Sequence, residues 1–526
     1  MVDAIPISIA SKPGCKKDGT ILEGDFHVET IWTGFNERGL PEKMGGYQQL
    51  SDNLSNICRG LNIYSRNNFN YVHAGSSDNF ERLTIQNDTG AVTGVIDRTP
   101  AGFDADDNNI WQIDAMFNAN SSVTQVIAHA TPSLLDISVE TATPIYAGDI
   151  TSTALLTQVS APPSGNPTGG IVVLHPYLFY YGANGVVGWS VANTTDLNGA
   201  GSGAARVTES KVVKGLPLRG GPGNAPSGLF WALNELIRIS FIGGSSVFQA
   251  DTLSSTISIL SPSAIIEDDG IYYWPGIDRF FVFNGVVREL INPYNRQFFF
   301  ENLNYAYRTS VFATKVTSRG EIWFCFPFGS STVCNHAVIY NKRLNCWYDT
   351  PLPNGGRSAG VWAQVYQYPL MTGAVPVADK SRLWQHEMMQ YDEIVGSTNN
   401  AILAAYETGE KSFALPPEGA KPSDKAMSVV CVEPDFVQTG AMQMIVRGRP
   451  NCRAPDQSSP LYTFQATDAT VDINATTGAA TGEQNINPKD TRRLLRFRFQ
   501  SNVAGGYFQA GTILASIQPS DGRKTS

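Results

Sequence analysis

Five basic residues, Lys489, Arg492, Arg493, Arg496 and Arg498, fall within ten positions. In Leu495-Arg496-Phe497-Arg498-Phe499 apolar and basic residues alternate, which puts Arg496 and Arg498 on one face of a strand. Guanidinium groups suit carboxylates and phosphates, which they engage through paired N–H donors. Two readings follow for Arg492, Arg493, Arg496 and Arg498. They form a solvated surface paired with carboxylates, or they contact an acidic neighbouring subunit or DNA phosphates.

Other candidate chemistry is weaker. Gly223-x4-Gly228 is followed by Leu229-Phe230, without the Lys and Ser/Thr that hold phosphate and magnesium. Gly199-Ala200-Gly201-Ser202-Gly203 lacks the order of a dinucleotide fingerprint and reads as a loop. The run Asp104-Ala105-Asp106-Asp107-Asn108-Asn109 alternates oxygen ligands as calcium loops do, yet Asn109 stands where a glycine is needed and Ala115 where a bidentate Glu is needed. Glu267-Asp268-Asp269-Gly270 could pair carboxylates for glycoside chemistry, but it also has the composition of a hairpin turn. The six histidines, His27, His73, His129, His175, His336 and His386, form no metal-binding spacing, and no G-x-S-x-G elbow occurs. No catalytic, cofactor or metal site is therefore assigned.

The elements that would position such groups are strands. Aromatic apolar runs come in pairs joined by turns: Leu178-Phe179-Tyr180-Tyr181 with Val186-Val187, Leu229-Phe230-Trp231 with Ile237-Arg238-Ile239, Ile271-Tyr272-Tyr273-Trp274 with Phe280-Phe281-Val282-Phe283, and Ile322-Trp323-Phe324 with Val338-Ile339-Tyr340. Their starts recur roughly every 40 to 55 residues, the period of four-stranded propeller blades. Further strands are expected around 71–75, 83–85, 111–117 and 126–128. Beyond about residue 400 the alternation weakens to the spacing of a small sandwich. The expected fold is all-β: an arm and structured loop over 1–50, a β-propeller over 51–405, and a smaller β-sandwich-like domain over 406–526. The number of blades stays open.

Composition agrees. Gly 49 and Pro 30 with many short β-branched and aromatic runs favour tight turns and few helices, and 42% hydrophobic against 16% charged residues excludes long disorder. A net charge of −9 argues against gripping nucleic acid over the whole surface, although DNA could pass an acidic wall without sticking. Seven scattered cysteines without a C-x-x-C pair read as reduced thiols. With neither a signal-peptide pattern nor an 18-residue apolar run, the chain is expected to be made in the cytoplasm and to span no membrane by itself.

One resemblance runs through nearly the whole chain. The series Trp32-x-Gly34-Phe35 to Gly46-Tyr47, Cys58-Arg59-Gly60, Pro144-Ile145-Tyr146-Ala147-Gly148-Asp149, Gly169-Gly170-Ile171-Val172-Val173, Gly228-Leu229-Phe230-Trp231-Ala232-Leu233, Ile271-Tyr272-Tyr273-Trp274-x-Gly276-x-Asp278-Arg279-Phe280, Gly320-Glu321-Ile322-Trp323 and Asp521-Gly522-Arg523 resembles the tail nozzle, or packaged-DNA stabilisation, proteins of short-tailed bacteriophages. The resemblance rests on order and spacing, since no single motif is chemically diagnostic. It implies a virion structural protein with a propeller body, assembled as a hexameric ring below the portal and its adaptor. It also implies contacts with other tail proteins, no cofactor and no enzymatic activity. Double-stranded DNA would pass the lumen without sequence specificity and be retained until ejection. Residues 151–170 and 219–228, rich in Gly and Pro, are the candidate gating loops. The competing readings are a propeller glycosidase or a host-polysaccharide-binding module, for which the repeated Ser-x-Asp-x-Gly-x-x-Trp turns of sialidase-like propellers are missing.

Overall fold

The computed structural model describes residues 4–520 except 51–53, 89, 107–108, 132–142, 164, 220–225, 245–246, 377–379, 413–424, 466–471, 474–479 and 482–485. The chain is all-β: a β-propeller with a smaller β-sandwich-like unit. Six blades are consecutive four-stranded antiparallel meanders, with inner strands Gly60–Arg66, Ile110–Asn118, Gly170–Leu174, Val212–Pro217, Ile266–Asp268 and Phe312–Val316. The seventh combines Arg357–Val361, Leu370–Gly373 and Leu383–Met388 with Gly46–Gln49 from the other end of the chain. Strand Arg357–Val361 packs beside both Gly60–Arg66 and Phe312–Val316, closing the ring at seven blades.

Local chemistry explains the blades. Asp269 and Gly270 both have positive φ, 53° and 78°, and form the two-residue turn between paired Asp268 and Ile271. Such turns match the twist of the strands they join, and a glycine meets the second position without strain. The expected hairpin at 267–270 is therefore present. The aromatic runs are the middle strands and supply the layers between blades. Trp231 of blade four meets Trp274 of blade five edge-to-face at 5.6 Å, and Trp274 stacks on Phe281 at 5.4 Å. Both tryptophans are fully buried, which removes a large apolar area from water.

The sheets divide the chain differently from the expected 1–50, 51–405 and 406–526. The described residues 4–50 do not form a separate arm. Ile5–Ser8 pairs with Leu514–Ser520, Glu29–Ile31 with Ala404–Glu407, and Pro41–Lys43 with Tyr507–Ala510, so both chain ends build the second unit. Residues 46–49 then cross into the propeller. Trp32 anchors this crossing: its backbone N–H donates to Thr350 Oγ1 at 2.8 Å and its indole N–H to the Gly45 carbonyl at 3.0 Å. Trp32, Trp323, Trp384 and Tyr348 lie in one buried cluster with Phe497, Phe499 and Phe508, so the two units share a continuous core. All seven cysteines are free, and burial pushes the Cys15, Cys334 and Cys346 thiols up to about 12.

Candidate functional site

The basic strand is occupied within its own chain. Arg496 is 5% and Arg498 8% exposed. Arg496 Nε lies 3.2 Å from Glu407 and its Nη2 pairs with Asp456, while Arg498 pairs with Glu29. Neighbouring Arg447 donates to Glu407 at 2.6 Å, and Arg449 holds Glu410 through two hydrogen bonds of 2.7 and 2.6 Å. Strands Leu494–Ser501 and Met442–Arg449 thus both carry cations, with Arg496 directly opposite Arg447, and Glu407 of Ala404–Glu407 lies opposite Arg498 and bridges Arg447 and Arg496. Arg492 pairs with Asp490 at 3.0 Å, and Arg493 is half-buried. Within the chain, Arg496 and Arg498 are paired with carboxylates as in the first reading, though buried rather than solvated. Their shared face lies opposite the core face of Phe497 and Phe499 and is covered by carboxylates brought in from distant segments.

The gating segments also differ from free loops. Arg82 donates to the Thr151 and Ser152 carbonyls at 2.6 and 2.5 Å, and Arg98 Nε to the Ala154 carbonyl at 2.9 Å. Residues 151–156 are therefore pinned to blade one and its outgoing turn, and Thr157–Gln158 is the outer strand of blade two. In the second segment Ser227 already belongs to the strand Ser227–Ala232, while 220–225, with Gly223, lie outside the described residues, as do Asp107, Asn108 and the Asp521-Gly522-Arg523 motif. No group of three metal-ligating side chains occurs among the described residues. His27, His73, His129 and His386 are core residues, whereas His175 is exposed and His336 is half-buried beside Asp349: burial lowers His27 and His129 to about 4, and the His129 ring lies between Thr131 Oγ1 and the Pro167 carbonyl.

A concave feature of the described residues is the central channel, about 1180 Å³, walled by the inner strands of all seven blades. Gln112 braces it: Nε2 donates to the Gly169 carbonyl at 2.6 Å and the Val213 carbonyl at 3.2 Å, linking blades two, three and four. Gly170, with φ 143°, leaves the space that this side chain fills. Further along the wall, Asp114 accepts hydrogen bonds from the Ala115 and Val173 N–H groups at 2.8 Å each. Burial raises its carboxyl to about 6, against the pull of those two donors and of Lys214. Lys214, opposite in sign on blade four, is lowered by burial to about 8 despite Asp114.

Toward the C-terminal ends of the inner strands, Lys315 donates to the Glu267 carbonyl at 2.7 Å, pairs with Asp268 at 3.2 Å and sits 5.0 Å over the Trp362 ring. Glu267 Oε2 lies 3.9 Å from Lys315 and 3.8 Å from Arg219. Sequence reasoning passed over Asp114, Lys214 and Lys315. The available signal was a charged residue inside an apolar inner-strand run, as in Val212-Val213-Lys214-Gly215-Leu216.

No family model matches this chain, and no curated protein does. Among solved structures it is similar to that of U3-55K, at 7% identity and a TM-score of 0.37 over 65% of this chain and 98% of that one. It is also similar to the WD40 repeats of RRP9, at 6% identity and 0.38 over 66% and 99%. BamB from Moraxella catarrhalis matches at 12% identity and 0.36 over 73% and 98%. The propeller assignment rests on the strand pairing of this chain.

Proposed function

We propose that the chain is a structural subunit of a short phage tail, forming a hexameric nozzle ring below the portal and adaptor. The ring continues the DNA channel and retains packaged double-stranded DNA until ejection. The reading starts from the ordered residue series of the sequence. What supports it is the shared core: blades six and seven and strands from both chain ends pack around Trp32, Trp323, Trp384 and Phe499 as one stiff block. A wall that must withstand DNA under pressure needs such a block, because close-packed interiors transmit load with little deformation. The net charge of −9 suits a wall past which DNA slides without counterion-driven adhesion. In this reading the protein is not an enzyme, and its site of action is the virion.

Light scattering of the purified chain with portal and adaptor, and its copy number in intact particles, test the proposal. A particle carrying six copies of the 57.0 kDa chain at the tail supports it. A monomer in the presence of both proteins, or absence from virions, refutes it.

A further inference from the structure

The chain carries net −9, yet the channel wall has Arg59, Lys214, Arg219, Lys315 and Arg357 against Asp114 and Glu267. Arg357 turns away, donating from Nε to His386 at 3.0 Å inside blade seven. Setting it aside leaves four cations against the two lining carboxylates and Asp268, which pairs with Lys315 at 3.2 Å, an excess of one that is opposite in sign to the molecule as a whole.

The individual groups differ in how well they are satisfied. Asp114 takes both its hydrogen bonds from the backbone, so its carboxylate is anchored to the wall. Among the described residues the Lys214 ammonium forms no ion pair; Asp114 acts on it only through space. A half-buried ammonium without acceptors has lost part of its hydration and gained no replacement, which an anion in the channel would supply. Farther along, Lys315 already donates to the Glu267 carbonyl at 2.7 Å and pairs with Asp268 at 3.2 Å, while the Glu267 carboxylate lies 3.8 Å from Arg219 and 3.9 Å from Lys315, beyond hydrogen-bond length, so a second anionic group would meet Arg219 and share Lys315 with Asp268. The Trp362 ring beneath Lys315 adds an apolar floor.

We propose that the propeller channel is a binding site for a small organic or inorganic molecule carrying at least two anionic groups, one held by Lys214 and the other by Lys315 and Arg219. At about 1180 Å³ the channel is ample for such a ligand. The site lies within a single chain and is independent of ring assembly.

Isothermal titration calorimetry on the full chain at low ionic strength tests this, with citrate as carboxylate probe and pyrophosphate as phosphate probe. Lys214→Met and Lys315→Met are each expected to weaken binding by about tenfold or more, as loss of a charge-assisted hydrogen bond does. Lys214→Arg retains it, and Arg206→Ala on the outer strand of blade three leaves it unchanged. Binding of citrate alone assigns a carboxylate ligand, of pyrophosphate alone a phosphate ligand, and of both a site reading charge. Thermal melts of each variant separate lost binding from lost folding. If neither probe binds, or a folded Lys214→Met binds as the parent does, the proposal is overturned.

Discussion

Where the chain leaves strand Pro41–Lys43 for the closing strand Gly46–Gln49, three carboxylates meet one guanidinium. Arg319 Nε donates to Glu321 at 2.8 Å and Nη1 lies 3.7 Å from Glu42. Glu321 also accepts from the Trp323 indole at 2.9 Å and from the Tyr348 hydroxyl. Glu387 accepts from Gly45 N–H at 3.3 Å through Oε2, while its buried Oε1 has no partner among the described residues. Glu387 also holds φ at 59°, an uncommon conformation for a side chain of its size. Burial pushes its carboxyl from 4.5 to about 7, with Glu321 and Glu42 adding to the rise and Arg319 opposing it.

Such a rise corresponds to about 3 kcal/mol in favour of the protonated form. The unfolded chain loses this proton near pH 4.5 and the folded chain near pH 7, so stability falls as pH rises between those values and is level above them. Glu387→Gln keeps the acceptor for Gly45 and removes the charge. With an unfolding entropy of about 2 cal/mol/K per residue, 526 residues give about 1 kcal/mol/K, so the variant should melt about 3 °C higher at about pH 8. Near pH 4.5 and below it should melt as the parent does. Scanning calorimetry across this range reads the difference. Equal shifts at both ends, or a lower melting point at pH 8, would refute the assignment of the proton to Glu387.

Other outcomes follow from the same geometry. In Gly46→Ala a Cβ would collide with the Gln390 and Asp392 carbonyls, so the closing strand should be displaced at a cost of about 3 kcal/mol or more, seen as a lower melting point and faster proteolysis of blade seven. Arg496→Met leaves Asp456 and part of Glu407 unpaired, and should lower stability to urea by about 3 kcal/mol while leaving any affinity for DNA unchanged; a weaker salt dependence of DNA binding would instead identify Arg496 as a phosphate contact. His27 packs between Phe35 and Tyr406 at 5.2 and 5.5 Å, and its ring is lowered from 6.5 to about 4. Its contribution is present above pH 6.5 and lost as pH falls through about 4, so His27→Leu should flatten the acid limb of the stability curve by up to about 3 kcal/mol.

The aromatic strand pairs were legible because they are the middle strands of blades three to six. Those strands are covered on both faces by neighbouring blades, so their sequences are continuous apolar runs that need no knowledge of their partners. The inner strands face a polar channel on one edge, and Lys214 or Asp114 in such a run looks like any charged residue in a half-buried strand. The N-terminal strands are short, four residues in Ile5–Ser8 and three in Glu29–Ile31, and pair across nearly the whole chain, as Ile5 does with Ile517. Nothing local encodes such a register.

For the basic strand, alternation placed Arg496 and Arg498 on one face, and that much the chain determined by itself. Whether the face met water, a partner or carboxylates depended on Glu29, Glu407 and Asp456, brought together only when the sheet formed. Period and side-chain type are local properties, and they determined the blades. Closure of the ring by Gly46–Gln49, the joint core of the two units and the cationic channel are long-range properties, set by which distant surfaces pack against one another.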